Sequence, residues 1–280
     1  MAPIRALFLG TPDFAVPSLE ALDSSDEIEV SLVVTQPDRR SGRGRKLQPP
    51  AVKVAAESHD LPVFQPESLR NESVIQRLQN ENPDVLVVVS YGELLRKPIL
   101  EMAPHGCLNV HPSLLPDYRG AVPIPATILS GDNQGGISIM KLVRRMDAGP
   151  VLFQAIHQLE GSETTGELTP TLAGLAAEYL PHVVRDWVSG DLAPEEQDES
   201  RATYTRELKK SDAQINWNWD SQCIDRFVRA MDPWPRAWTL LEGERISILT
   251  LASETGTQGA AKRPGTVVQQ GERVYVVTSS

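Results

Sequence analysis

Two residues of this chain have the types and spacing that acyl chemistry needs. Asn109 and His111 stand in NVHPSLLPDYRG, residues 109–120, where an apolar run gives way to turn-forming residues. Side chains alternate along a strand, so residues two apart point to the same side. An Asn amide can donate to a carbonyl oxygen that is becoming an anion, and an imidazole can take up or release a proton near neutral pH. A carboxylate follows in MDAGPVL, residues 146–152, where Asp147 precedes a Gly-Pro turn. Such a carboxylate can orient a His and set its protonation. Taken alone, an Asn-x-His pair is commonplace, and an Asp before Gly-Pro reads as a turn cap.

The elements that must position these groups follow from the apolar pattern. Strands are predicted at Ile4–Gly10, Ile28–Thr35, Asp84–Val89, Gly106–His111, Gly136–Leu142 and Pro150–His157, the last two suited to pair. Helices are predicted at Val16–Leu22, with Pro17 in its first turn, near Glu72–Asn82, and over Thr165–Val188 with a break near Pro170 or Pro181. Alternating strands and helices imply an open, mostly parallel, Rossmann-like α/β sheet, whose ligands bind beyond the carboxyl ends of the strands. The acidic stretch Gly190–Arg201 has no apolar cluster and reads as a linker. Beyond it, a helix at Ser221–Met231 and short strands at Ala237–Leu241, Arg245–Leu251, Gly265–Val268 and Arg273–Thr278 suggest a small β-barrel of OB-like kind. The expected domains are therefore 1–189, a linker at 190–205, and 206–280.

Composition narrows the function. The 280 residues carry a formal net charge of −10, which argues against non-specific coating of nucleic acid. The charge is uneven, however. Arg39–Lys46 holds five cations among eight residues, and its two glycines and serine make it a loop rather than a helix. Cys107 and Cys223 are far apart and lack CxxC spacing, so neither a disulfide framework nor a zinc site is expected. Cys107 falls on the Asn109 face but reads as buried packing. His59, His105, His157 and His182 show no metal spacing, and GxGxxG is absent, which disfavours a dehydrogenase. The opening MAPIRALFLG reads as a first strand, no run has the 18 or so apolar residues of a membrane span, and a cytoplasmic protein is expected.

NVHPSLLPDYRG together with MDAGPVL resembles the folate-dependent formyltransferases, and LGTPDFA (9–15), TQPDRRSGRGRKLQPPAVK (35–53), VVVSYGELL (87–95) and MDPWPRAWT (231–239) extend the likeness over nearly the whole chain, to the methionyl-tRNA formyltransferases within that family. The resemblance implies transfer of the formyl group of 10-formyltetrahydrofolate to the α-amino group of methionyl initiator tRNA, by a monomer without a metal. It assigns Asn109 and His111 to the tetrahedral intermediate and its proton, and Asp147 to orienting the pair. It places Ser113, Leu114, Leu115 and Pro116 on the folate side, and Tyr91, Gly92 and Leu94 at the pterin pocket. It gives Arg39, Arg40, Arg43, Arg45 and Lys46 to the tRNA acceptor arm, Arg43 foremost, and Lys209 and Lys210, with Arg226, Arg229 and Arg236, to its phosphates. Trp234 and Trp238 read as core.

Three features depart from the family pattern. Pro125 and Ala126 follow YRGAVPI, where a Gln and a bulky or basic residue are usual. Gln134-Gly135-Gly136 suggests a looser start to the strand there. The chain ends at Ser280, so the last barrel strands are expected to be missing. A formyltransferase acting on an amino sugar nucleotide and a catalytically silent RNA-binding relative are the competing readings.

Overall fold

The structure is a computed structural model that describes residues 2–41, 46–252, 254 and 262–279. The apolar runs form strands β1 (Ile4–Gly10), β2 (Ile28–Val34), β5 (Val63–Phe64), β6 (Val85–Val89), β7 (Cys107–His111), β9 (Gln134–Lys141) and β10 (Val151–Gln158). They build one sheet in the order β10-β9-β7-β6-β1-β2-β5. All five residues of β6 are buried, as are the last five of β1. Runs buried on both faces are what a covered parallel sheet requires. The β5, β2, β1, β6 and β7 pairings are parallel, and β9 joins β7 antiparallel. Register places Gly10 opposite Val89, and Val89 opposite Val110. The loops after β1, β6 and β7 therefore leave the sheet at one edge.

Chain contacts divide the protein into two compact units. The first holds residues 1–120, 136–157 and 169–204, and the second 121–135, 158–168 and 205–280. The stretch read as a linker thus belongs, up to Tyr204, with the sheet.

The helices are α1 (Val16–Asp23), α2 (Ala51–Ser58), α3 (Glu72–Asn80), α4 (Lys97–Leu100), α5 (Pro123–Ser130), α6 (Thr165–Ser189) and α7 (Ser221–Ala230). The break expected in α6 does not occur, and Pro170 and Pro181 lie inside a continuous helix. Each proline removes one i→i−4 donor. Burial of Leu172, Ala173, Ala176, Leu180, Val183 and Val184 along one stripe holds the helix together. Pro125 falls in the first turn of α5, where amides have no intrahelical partner, and is itself buried.

The basic stretch is more ordered at its flanks than a loop. Arg39–Ser41 (β3) and Lys46–Gln48 (β4) pair antiparallel, Arg40 opposite Leu47. Asp38 anchors the base of this ribbon, taking hydrogen bonds from Lys53 Nζ (3.0 Å) and Gln65 Nε2 (2.8 Å). Those bonds, Gln65 first, hold the Asp38 carboxyl below its ordinary range.

The start of β9 is also tighter than expected. A Cβ on Gly136 would come within 2.2 Å of the Ala155 carbonyl oxygen and 2.6 Å of Leu114 Cδ2. One of those atoms is backbone, so the strand itself would have to move. Gly136→Ala is expected to cost at least about 1–3 kcal/mol; an unchanged thermal midpoint would show that β9 shifts freely.

In the second unit, α5 packs against α7. Asp220 caps α7 by accepting from Cys223 N at 2.8 Å. The strands expected of a barrel form two antiparallel hairpins among the described residues: β12 (Trp238–Leu241) with β13 (Glu244–Ser247), and β14 (Val267–Gln270) with β15 (Arg273–Val276). Trp234 is 53% exposed and so is not core. Trp238 is half-buried, with Nε1 donating to the Lys210 carbonyl and Arg245 over its ring at 4.4 Å.

Candidate active site

Asn109 and His111 do share a side of β7, at the sheet edge where three loops emerge. Asn109 is half-buried, and its amide makes no hydrogen bond among the described residues. A half-buried donor with no such bond is available to a ligand oxygen. His111 is buried, at 4% exposure. Its Nε2 lies 3.0 Å from the Tyr118 carbonyl oxygen. A carbonyl only accepts, so Nε2 carries the hydrogen and Nδ1 of the neutral ring presents a lone pair.

That lone pair faces Asp147, whose Oδ2 is 3.9 Å from Nδ1. The distance is too long for a hydrogen bond, and two acceptors have no reason to close it. Once Nδ1 gains a proton the pair becomes an ion pair. Burial holds the imidazole below its ordinary value of 6.5, against the opposing pull of the Asp147 charge and the Tyr118 carbonyl. The ring is therefore neutral at pH 7 with its vacant nitrogen beside a carboxylate.

Asp147 is itself fixed. Its φ is +47°, and its Oδ2 accepts from Gly120 N at 2.8 Å. Gln197 Nε2 donates to the carbonyl oxygens of Asp147 (2.8 Å) and Gly149 (2.6 Å). Gln197 Oε1 accepts from Arg119 Nε (3.1 Å) and Nη2 (2.8 Å). Arg119 has no solvent exposure and donates onward to both oxygens of Glu199 and to the Tyr204 hydroxyl. Arg119 lies in the motif that opened the sequence reading, but nothing in its spacing signalled burial. Gln197 and Glu199 sit in the acidic stretch, where no periodicity marks them.

The residues expected on the folate side divide by role. Ser113 Oγ donates to the Asp117 carbonyl at 2.6 Å and so closes its own turn. Ser138, which lies opposite His111 in register, accepts from Leu115 N and donates to the Ser113 carbonyl. Leu115 is buried, and Leu114 and Pro116 are half-buried. Tyr91 is buried, and its carbonyl accepts from Thr11 Oγ1 at 2.8 Å, which ties the loops after β1 and β6 together. Gly92 has φ +89° and open space around its Cβ position, and Leu94 is 66% exposed. The register, rather than any one contact, brings this loop to the edge that bears His111. Cys107 is buried and donates to the Ile99 carbonyl; burial pushes its thiol up to about 12, so it is no nucleophile.

Among the cations, Arg39, Arg40 and Lys46 are exposed on the ribbon, and Arg43 and Arg45 lie outside the described residues. Lys209 and Lys210 are exposed in the second unit. Arg229 is engaged within the protein by Asp225 (2.8 Å) and the Glu163 carbonyl, and Arg226 lies against Gly131 and Cys223. Both are half-buried and make these contacts within the second unit. The described residues contain no cluster of His, Cys, Asp or Glu that could hold a metal, and no helix long and apolar enough to cross a membrane.

Along nearly its whole length the chain is similar to known formyltransferases. Residues 4–184 match a family model described as formyl transferase, and residues 207–280 one described as formyl transferase, C-terminal domain. A Chloroflexus aurantiacus protein named methionyl-tRNA formyltransferase is 46% identical over 267 residues, 95% of this chain and 84% of its own length. A Pseudomonas putida protein of the same name is 38% identical, covering 98% of this chain and 90% of its own. The N-formyltransferase from Helicobacter canadensis, solved in complex with folinic acid and dTDP-3-aminofucose, superposes with a TM-score of 0.69 at 16% identity, over 98% of this chain and 96% of that one. That likeness carries the fold alone. With two family models in tandem and relatives this similar over nearly its full length, the chain belongs to the formyltransferase family and is a formyl-transferring enzyme.

Proposed function

We propose that this enzyme formylates the α-amino group of methionyl initiator tRNA, with Asn109 and His111 as its catalytic residues and Asp147 as their orienting carboxylate. The observation that carries the reading is the pairing at the end of β7: an Asn109 amide with no hydrogen bond among the described residues, beside a buried, neutral His111 whose Nδ1 lies 3.9 Å from Asp147. The names of the relatives support this acceptor, and the exposed Arg39, Arg40 and Lys46 of the ribbon suit an RNA backbone. Leu94 and the open backbone at Gly92 suit a planar heterocycle that stacks and hydrogen-bonds along one edge.

10-Formyltetrahydrofolate supplies the formyl group. The acceptor amine, when neutral, needs no Ser or Cys nucleophile, so the protein's work is orientation, charge stabilisation and proton transfer. As the amine nitrogen bonds to the formyl carbon, Asn109 donates to the carbonyl oxygen, which takes the π electron pair. His111 Nδ1 accepts the proton that the attacking nitrogen sheds. Asp147 stabilises the imidazolium so formed. As the bond from the formyl carbon to the donor nitrogen breaks, His111 returns a proton to that nitrogen and the carbonyl re-forms. The ring ends neutral, ready for the next cycle. Ser113, Leu115 and Pro116 shape the wall after β7, and Lys209 and Lys210 add phosphate contacts.

The test offers 10-formyltetrahydrofolate with either charged methionyl initiator tRNA or an amino sugar nucleotide. Formylation of the tRNA is expected, with Arg39→Ala/Arg40→Ala weakening tRNA binding and flattening its salt dependence by a log–log slope of roughly two. Formylation of the sugar alone overturns the acceptor assignment. Folate binding without transfer to either acceptor would point to a different amine acceptor, whereas tRNA binding without folate binding would favour the silent relative.

A further inference from the structure

We infer that Gln197 and Arg119 are positioning residues, which hold the backbone of Asp147, and hence its carboxylate, against the His111 ring. The inference rests on the assignment of His111 and Asp147 made above. It begins with hydrogen-bond accounting. A primary amide has two N–H donors and one carbonyl oxygen. Both donors of Gln197 are spent on the Asp147 and Gly149 carbonyls, and its oxygen takes two bonds from Arg119. The guanidinium has donors only, so the amide cannot be turned over. No other side chain of this length offers donors on one side and an acceptor on the other.

The clamp spans the sheet edge. Glu195 pairs with Val151 of β10, N to O at 2.8 Å in both directions, which pins the start of the segment. Tyr118 N donates to Thr203 Oγ1, and Arg119 N to the Thr203 carbonyl, which pin its end. Between these anchors Arg119 lies buried beneath Glu199 and Tyr204, while Arg145 Nη2 neutralises Glu199 from outside at 2.6 Å. Gly120, the residue after Arg119, donates its N–H to Asp147 Oδ2. One arginine thus controls Asp147 by two routes: its neighbour's amide on the carboxylate, and Gln197 on the carbonyl. The Gly149 position is equally confined, since a Cβ there would lie 1.8 Å from the Lys141 carbonyl oxygen. A loop held this tightly keeps a 3.9 Å gap that a small displacement would widen.

The groups acting on the His111 ring are the Asp147 carboxylate, from the loop after β9, and the Tyr118 carbonyl, from the loop after β7. Of these only Asp147 is charged, and it favours the protonated ring. Releasing it makes His111 harder to protonate.

The experiment compares wild type with Gln197→Met, which keeps length and removes the four hydrogen bonds to Arg119, Asp147 and Gly149. The His111 imidazole is titrated by NMR in the substrate-free protein, with His111→Asn supplying the assignment. Its midpoint is expected to fall relative to wild type, and kcat to drop about 10- to 100-fold with KM values little changed, as for a misplaced catalytic group. A variant with lowered kcat and an unmoved midpoint has a merely structural defect and overturns the inference, as does an unchanged kcat. Should Gln197→Met not fold, Glu199→Gln takes its place: Glu199 is exposed and lies outside the groups that act on the ring, so a smaller shift in the same direction supports transmission through Arg119 and an unmoved midpoint refutes it. The titration needs no substrate, so a wrong acceptor assignment would appear as absent transfer in wild type while the NMR comparison still stands.

Discussion

Replacing Asn109 with alanine is expected to lower kcat about 100- to 1,000-fold while leaving KM close to wild type. The size follows from where the amide sits. It is half-buried and makes no hydrogen bond among the described residues, so in the proposed mechanism its hydrogen bond forms with the reacting group alone. A donor whose partner gains charge in the transition state acts on kcat, whereas one that binds the ground state equally would act on KM. The substitution leaves no buried polar partner unsatisfied, so folding should be little affected. Steady-state formyl transfer with both substrates varied is the measurement; a kcat within a fewfold of wild type would remove Asn109 from the oxyanion role.

His111→Asn should cost about 100- to 10,000-fold, the range for loss of a positioned acid–base group. Its pH profile separates it from the first variant. In wild type two ionisations bear on the rate: that of the acceptor amine, near 7.7 for a free α-amino group, and that of His111, held below 6.5 by burial. Both groups must be neutral to work, so activity falls on acidification, first through the amine and then more steeply through His111. The asparagine variant should keep the first limb and lose the second. Stability follows the same ring. The unfolded chain binds a proton near 6.5 and the folded one only at lower pH, so unfolding takes up protons in that window. The contribution is fully present above about 6.5 and declines as pH falls toward the folded value. His111→Asn should flatten that decline in thermal midpoint; an identical pH dependence in both proteins would contradict a buried neutral ring.

Part of this site could be read from the chain itself. Alternation along β7 is a property of the extended backbone, so Asn109 and His111 had to share a side once the strand was recognised. The order of strands and helices had to yield an α/β sheet, because runs such as VLVVV can be buried on both faces only there. The resemblance of short motifs to a known family then supplied Asp147, which spacing alone left as a turn cap.

What tertiary structure decided has another physical basis. Arg119 meets Gln197 and Glu199 across 78 and 80 residues, and no local pattern can encode a partner at that distance. Composition read Gly190–Arg201 as a linker because its residues are polar, yet a polar side chain is also what a buried guanidinium and two backbone carbonyls require. The prolines of α6 suggested a break because each loses a hydrogen bond locally, and only packing along a long buried stripe compensates. Local backbone preferences therefore determined which elements form and which way Asn109 and His111 point. The distances that leave His111 Nδ1 vacant beside a carboxylate, 3.0 Å from Nε2 to Tyr118 and 3.9 Å from Nδ1 to Asp147, were decided only when the loops after β7 and β9 closed over one edge of the sheet and withdrew the ring from water.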